Sequence, residues 1–352
     1  MAGVPWALLA AAVLTGAVFV RLGYGFTGGF RAFLEEGDAR ALGAAFIVPA
    51  VAAPVIIPVA SLAEGYSRFL APVGVSLLLG AAIFGVGMQL AGGCGSGTLV
   101  GVGRGSRRML VALPFFCLGG LLGSLALPAA LAWPGIGVVD LAERLGIWGG
   151  LAATELLLLA GAALVLRGQR PSARGLWAGA VVGLLAALLF LVGGQPWGVT
   201  LGLTLWGAKA VQAMGIGLHG FAFWSDPGMA EALAGPWLDL PASATDLGII
   251  LGALLAAAAG GRLGLSTPIG GRAVLEAAAG GLLMGIGARL SFGCNIGAFV
   301  GGASSGSLHG FVWVLAVLPG CKLGILLRQA GRGPARASPA AGSAAAPARV
   351  PE

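Results

Sequence analysis

The sequence predicts an all-α polytopic integral membrane protein with about nine transmembrane helices, short re-entrant half-helices and an inverted internal repeat. Three observations carry that prediction. Of the 352 residues, 58% are hydrophobic and only 9% charged, where a soluble domain would carry about a quarter charged residues to face water. Apolar runs of roughly 20 residues, the length that crosses a hydrocarbon core, recur along the whole chain. A glycine loop around a single cysteine occurs twice, as LAGGCGSGTL at 90–99 and LSFGCNIGAF at 290–299.

The apolar runs lie near 3–21, 40–60, 70–91, 109–131, 147–166, 175–193, 245–261, 272–291 and 309–328. The first lacks a basic amino-terminal region, so it reads as a retained span and not as a cleaved signal peptide. Basic residues collect in short cytoplasmic loops, which tests the span count independently. With the amino terminus outside, alternation puts Arg21, Arg31, Arg40, Arg104, Arg107, Arg108, Arg167, Arg170, Arg174, Arg262 and Arg272 inside, with Arg328, Arg332, Arg336 and Arg349 of the tail. Only Arg68, Arg144, Lys209 and Arg289 fall outside, and Lys322 lies within the last span. The net charge of +7 is therefore topological, and no soluble basic surface exists to hold nucleic acid. The partners expected are the lipid bilayer and a small solute.

The cysteine loops are part of a wider repeat. Gly80, Gly85, Gly87, Leu90, Gly93, Cys94, Gly97 and Gly101 recur 200 residues on as Gly280, Gly285, Gly287, Leu290, Gly293, Cys294, Gly297 and Gly301. Upstream, YGFTGGFRAF at 24–33 is similar to WGVTLGLTLW at 197–206. One membrane transport domain is expected over 1–328, with repeat one at 1–132, a connector span at 133–174 and repeat two at 175–328. An odd number of spans between equivalent segments inverts one half relative to the other. The stretch 329–352, rich in Pro, Ala and Arg, reads as a disordered cytoplasmic tail.

Four segments, following Tyr24, Cys94, Trp197 and Cys294, are too short and glycine-broken to cross. Irregular backbone at membrane depth is tolerated where protein or a water-filled cavity satisfies it, so these are expected to be re-entrant half-helices. A helix starting at depth presents free N–H groups and a positive dipole end to an anion. Gly93, Gly95, Gly97 and Gly293 would let a substrate approach the backbone, while Ser96, Thr98 and Asn295 add short polar groups. No Asp or Glu lies in these loops, so an anion is preferred over a cation.

The cysteines refine the ligand class. There is no CxxC, and His219 and His309 stand apart from any ligand pattern, so neither metal nor other cofactor is expected. Thiols are weak donors and polarizable acceptors suited to sulfur-bearing ligands, which makes Cys94 and Cys294 the candidate path residues; a disulfide between them stays open. Cys117 and Cys321, in PFFCLGG and LPGCKLG, read as packing residues. Lys209 is a candidate path residue as an intramembrane charge, or else it snorkels to the outer interface. Arg289 and Arg31 either recruit anions or serve lipid and topology, and Trp197, Trp206 and Trp224 are read as including interfacial belt residues.

The two cysteine loops, with GFTGGFRAF at 25–33 and QPWGVTLGLTLWGAK at 195–209, resemble the YeeE/YedE family of bacterial inner-membrane sulfur transporters over nearly the whole chain. That resemblance implies nine spans with short re-entrant helices, a location in the bacterial inner membrane, import of thiosulfate or a related sulfur species, and cysteines at 94 and 294 at the centre of the path. It also implies a third thiol in the first short segment, where this chain has Gly25. The departure leaves open another sulfur or selenium compound, or direct delivery to a cytosolic sulfur-carrier protein. Two other classes fit parts of the pattern. A membrane thiol oxidoreductase would use a paired CxxC, which is absent, and a channel without thiol chemistry would tolerate serine at 94 and 294. No phosphate-binding GxxxxGK[ST] string is present, and a transporter, not an enzyme, is expected.

Overall fold

The structure is a computed structural model that describes residues 6–330 except 262 and 265–267. Among them, nine helical stretches are long and apolar enough to cross a membrane. Arg262 and all the tail beyond 330 lie outside the described residues. The last helix itself continues to Ala330 and so takes in the first two residues of the expected tail.

The first half runs through α1 (Trp6–Leu22), α2 (Phe26–Glu36), α3 (Arg40–Ala45), α4 (Ile47–Leu62), α5 (Val75–Ala91), α6 (Gly95–Gly103) and α7 (Arg107–Ala130). A connector, α8 (Leu141–Leu166), leads to the second half: α9 (Ala173–Gly193), α10 (Thr200–Ala213), α11 (Ala222–Ser225), α12 (Pro227–Ala234), α13 (Pro241–Ala259), α14 (Gly271–Leu290), a π-helix (Asn295–Gly302) and α15 (Leu308–Ala330). The segments expected to be half-helices after Tyr24, Cys94, Trp197 and Cys294 are α2, α6, α10 and the π-helix.

One feature departs from an all-helical reading. β1 (Pro72–Gly74) and β2 (Gly135–Val138) form a two-stranded antiparallel pair, so the third span begins at Val75 and not near 70. Asp140 then opens α8 by accepting hydrogen bonds from the Ala142 and Glu143 amides, and Arg68 pairs with the same carboxylate. Three residues give no period-2 signal, and a capping Asp followed by an apolar run is read as helix alone.

Packing pairs the elements in matched couples. α7 packs on α14 as α5 packs on α15, α1 packs on α13 as α4 packs on α9, and α5 and α14 pack on each other. Glycines make these crossings possible, since helices in lipid associate by close backbone approach at small residues. A Cβ on Gly87 would meet the Gly280 carbonyl at 2.6 Å, and one on Gly287 would meet the Gly80 carbonyl at 2.6 Å. Gly85 lies against the α15 backbone at Val317 and Cys321, and Gly285 against the α7 backbone at Phe116 and Gly120. α8 stays at the periphery, burying chiefly Ala142, Gly150, Thr154 and Leu158. The central layer holds Phe84, Leu99, Phe299, Trp313 and both loop cysteines.

One face is rich in arginine. There α5 ends at left-handed Gly92 (φ 80°), and its last carbonyls accept from basic side chains: Ala91 and Leu90 from Arg108, Gln89 from Arg328. Glu276 of α14 ties Arg108 and Arg272 together with ion pairs of 2.8 Å. Arg31 of α2 donates to the Gln89 side chain at 3.1–3.2 Å, which accounts for Arg31 as a strut between α2 and α5.

Candidate functional site

The two cysteines are both N-caps. Cys94 precedes α6 in extended conformation, and its sulfur accepts from the Gly97 amide at 3.4 Å. Cys294 precedes the π-helix in the same extended conformation, without a side-chain cap hydrogen bond. Phe292 and Gly293 before it adopt positive φ, which turns the chain back into the protein. Both cysteines are buried, and all four cysteines are free thiols; the disulfide left open by the sequence is not formed.

The two helix starts meet. A Cβ on Gly95 would come within 2.9 Å of the Cys294 sulfur and 3.5 Å of a Val199 methyl. The first residue of α6, the cap of the π-helix and the entry to α10 thus share one small space, and the two thiols lie within electrostatic reach of one another.

The sequence candidates divide around this point. Gly95 faces Cys294, a Cβ on Gly93 would stand 2.9 Å from the Met109 sulfur, and one on Gly293 would collide with the Ala298 amide. These three glycines are therefore small because protein fills the space beside them, whereas a Cβ on Gly97 would have only the Cys94 sulfur near it, at 3.4 Å. Ser96 lies 3.5 Å from the Cys94 sulfur, and Thr98 bonds back to the Cys94 carbonyl at 2.9 Å. Asn295 is fully buried, and neither its amide nitrogen nor its oxygen has a partner among the described residues. Gly25, the N-cap of α2, has extended backbone and no atom within 4 Å of where a Cβ would stand.

Lys209 is placed elsewhere. Its ammonium donates to the carbonyls of Leu233 and Gly235, both at 2.7 Å, which closes the C-terminal end of α12 and holds the α10–α12 excursion together. The tryptophan expectation also changes. Trp197 and Trp224 are buried, Trp224 donating to Ser124 at 3.0 Å, and Trp206 donates to Ser243. Exposed indoles are instead Trp6, Trp133, Trp148, Trp177 and Trp237. Aromatic content alone cannot separate an interfacial ring from one at the site.

Further groups that the sequence did not single out as site residues converge here. Tyr24 Oη, Thr27 Oγ1 and Trp197 Nε1 are buried with no partner among the described residues, and such orphans are rare away from functional sites. Tyr24 and Trp197 both stack edge-on against Phe19, at 5.6 and 5.9 Å, and they occupy equivalent positions in the two repeated segments. That equivalence was the signal available in the sequence.

A cavity reaches this centre from each side. On the arginine-rich face one of about 560 Å³ is lined by Gly25, Thr27, Gly93, Cys94 and Gly97, with Arg104, Arg107 and Arg108 at its rim. On the opposite face one of about 190 Å³ is lined by Trp197, Thr200, Thr245, Arg289 and Gly297. Arg289 lies over the Phe223 ring at 5.2 Å. Among the described residues no group of His, Cys, Asp or Glu could hold a metal ion. Chemically, the centre offers two soft thiols and several unanswered donors, approached through two cationic vestibules.

Comparison with known proteins gives the same direction. The sequence pattern of a family described as sulphur transport matches residues 21–323. A thiosulfate transporter of Spirochaeta thermophila is 32% identical over 247 residues, covering 65% of this chain and 70% of that protein. Probable transporters of Salmonella typhimurium and Escherichia coli are 31% and 30% identical over 142 residues, 40% of this chain. In these two the similarity spans 34% of the relative's length, about a third.

Proposed function

Because the chain belongs to the sulphur transport family, whose relatives here are transporters and not enzymes, we propose that it imports a sulfur-containing anion across the bacterial inner membrane, with thiosulfate as the substrate. The relative named for thiosulfate covers most of the chain and motivates that choice. The observation that carries the proposal is the meeting of two cysteine-capped helix starts between two arginine-lined cavities.

The positive-inside distribution of arginine supports an amino terminus outside and a carboxyl terminus in the cytoplasm. The anion then enters beside Arg289, and the field of one cation in a low-dielectric mouth concentrates it there. At the centre the sulfonate oxygens of thiosulfate accept from Asn295, Trp197, Tyr24 and the free amides of the helix starts, while its terminal sulfur lies between the thiols of Cys94 and Cys294. Release is into the larger vestibule, where Arg104, Arg107 and Arg108 receive the anion. A cytosolic sulfur-carrier protein is a suitable acceptor. The open space at Gly25 favours a second reading, a bulkier sulfur or selenium anion.

The test is uptake of sulfur-labelled thiosulfate in cells without their own importers, for the parent and the Cys94→Ser and Cys294→Ser variants. Serine is a better N-cap than cysteine, so the helix starts survive and only the sulfur is lost. Uptake falling at least about tenfold in each variant, a loss of roughly 1.4 kcal/mol in transition-state stabilisation, is the expected result at unchanged membrane abundance. Undiminished uptake in both would leave a channel without thiol chemistry.

A further inference from the structure

Asp246 is a buried charge-bearing group without a hydrogen-bond partner among the described residues. It lies within α13, one of the spans, and is 0% exposed. Neither carboxyl oxygen has a hydrogen-bond partner among the described residues, and no ion pair reaches it. Gly202 of α10 is a glycine at its point of contact, since a Cβ there would collide with Asp246 Oδ2. Its helix neighbours Ala242 and Thr245, and Thr200 and Leu201 beside Gly202, line the cavity that holds Arg289. Asp246 thus sits just behind the wall of that vestibule, within electrostatic reach of Cys294 and of Cys117 on α7.

The helices packed on α13 are α1, α6 and α10. From α1 the titratable side chain is Arg21, at the far end, because α13 meets α1 through Gly248 at Leu9 and Ala12, and through Ile249 at Gly16. α6 contributes only the cap Cys94 and Arg104 at its distal end. α10 contributes Lys209, which is engaged by the Leu233 and Gly235 carbonyls. The groups facing Asp246 are the thiols of Cys294, at the start of the π-helix, and Cys117 of α7, with Arg289 of α14 across the cavity, and no hydrogen bond reaches its carboxyl oxygens among the described residues.

We propose that Asp246 is a proton-binding site that couples entry of the anion to entry of a proton. This rests on the sulfur-anion reading above. An unpaired carboxylate sealed in a water-free interior is costly, so the group holds a proton while the site is closed and gives it up only where the inner vestibule admits water to it. A second negative charge arriving at Cys294 raises that cost, and by linkage the anion and the proton each strengthen the other's binding. The O–H bond forms with a proton from the outer vestibule and breaks when the site faces the inner one. The proton and the anion leave together, and no electron moves.

The experiment uses the full-length purified protein in liposomes with the membrane potential clamped at zero and an inside-alkaline gradient of about one pH unit, which drives about tenfold accumulation for one proton per anion. The expected result is accumulation of labelled thiosulfate by the parent and mere equilibration by Asp246→Asn, which cannot carry a proton. Equal accumulation by parent and Asp246→Asn overturns the assignment to this residue. A parent that equilibrates thiosulfate without responding to the gradient overturns coupling while leaving thiosulfate transport intact, and this needs no variant to fold. A parent that moves no thiosulfate at all removes both.

Discussion

At the scale of single residues, volume decides more than polarity. Gly95 and Gly25 look alike in a sequence, both at the start of a short helix, yet a methyl at 95 would press on the Cys294 sulfur while 25 faces open space. Gly95→Ala should therefore lower uptake at least about tenfold at normal abundance, because displacement of about an ångström at a reacting or binding centre is costly. Gly25→Cys should leave abundance and thermal stability unchanged, and it restores the thiol position implied by the family resemblance; a loss of folded protein in detergent would contradict the open space. The sequence marked Cys94, Cys294 and Asn295 through the repeat. It did not mark Asp246, which stands second in the apolar run 245–261, because only the fold shows that no partner meets its carboxyl group.

At the scale of elements, the repeated glycines acquire a packing meaning. Gly80, Gly87, Gly280 and Gly287 stand in register because α5 and α14 cross backbone to backbone, and two of the eight identities in the repeat are this crossing written twice. Gly287→Ala or Gly280→Ala should destabilise by about 1–3 kcal/mol through overpacking, seen as a lowered melting temperature in detergent. Ordinary stability in both would mean that the helices separate without cost. The same logic explains Lys209. Its charge was legible, but its carbonyl partners come from α12, a helix whose position no periodicity in the intervening stretch announces. The strand pair β1–β2 escaped the sequence for a comparable reason, since three or four residues are too few to show alternation.

At the scale of the whole molecule, nine spans, four half-helices and an arginine asymmetry were all readable, because composition and spacing are set by the bilayer itself. The two cavities were not readable, as they arise only where half-helices stop short of one another. Their geometry predicts sided chemistry. A membrane-impermeant thiol reagent applied from the arginine-rich face should modify Cys94, which lines that cavity, and labelling should vanish in Cys94→Ser; equal labelling of Cys294 from that face would contradict the separation. The thin wall between the cavities has an electrical consequence. If water and ions fill both cavities, each bulk solution comes close to the centre, and the membrane voltage drops mainly across the protein around Gly95 and Cys294. Each negative charge moving inward across 100 mV, negative inside, climbs about 2.3 kcal/mol in that step, and a divalent anion climbs twice as far.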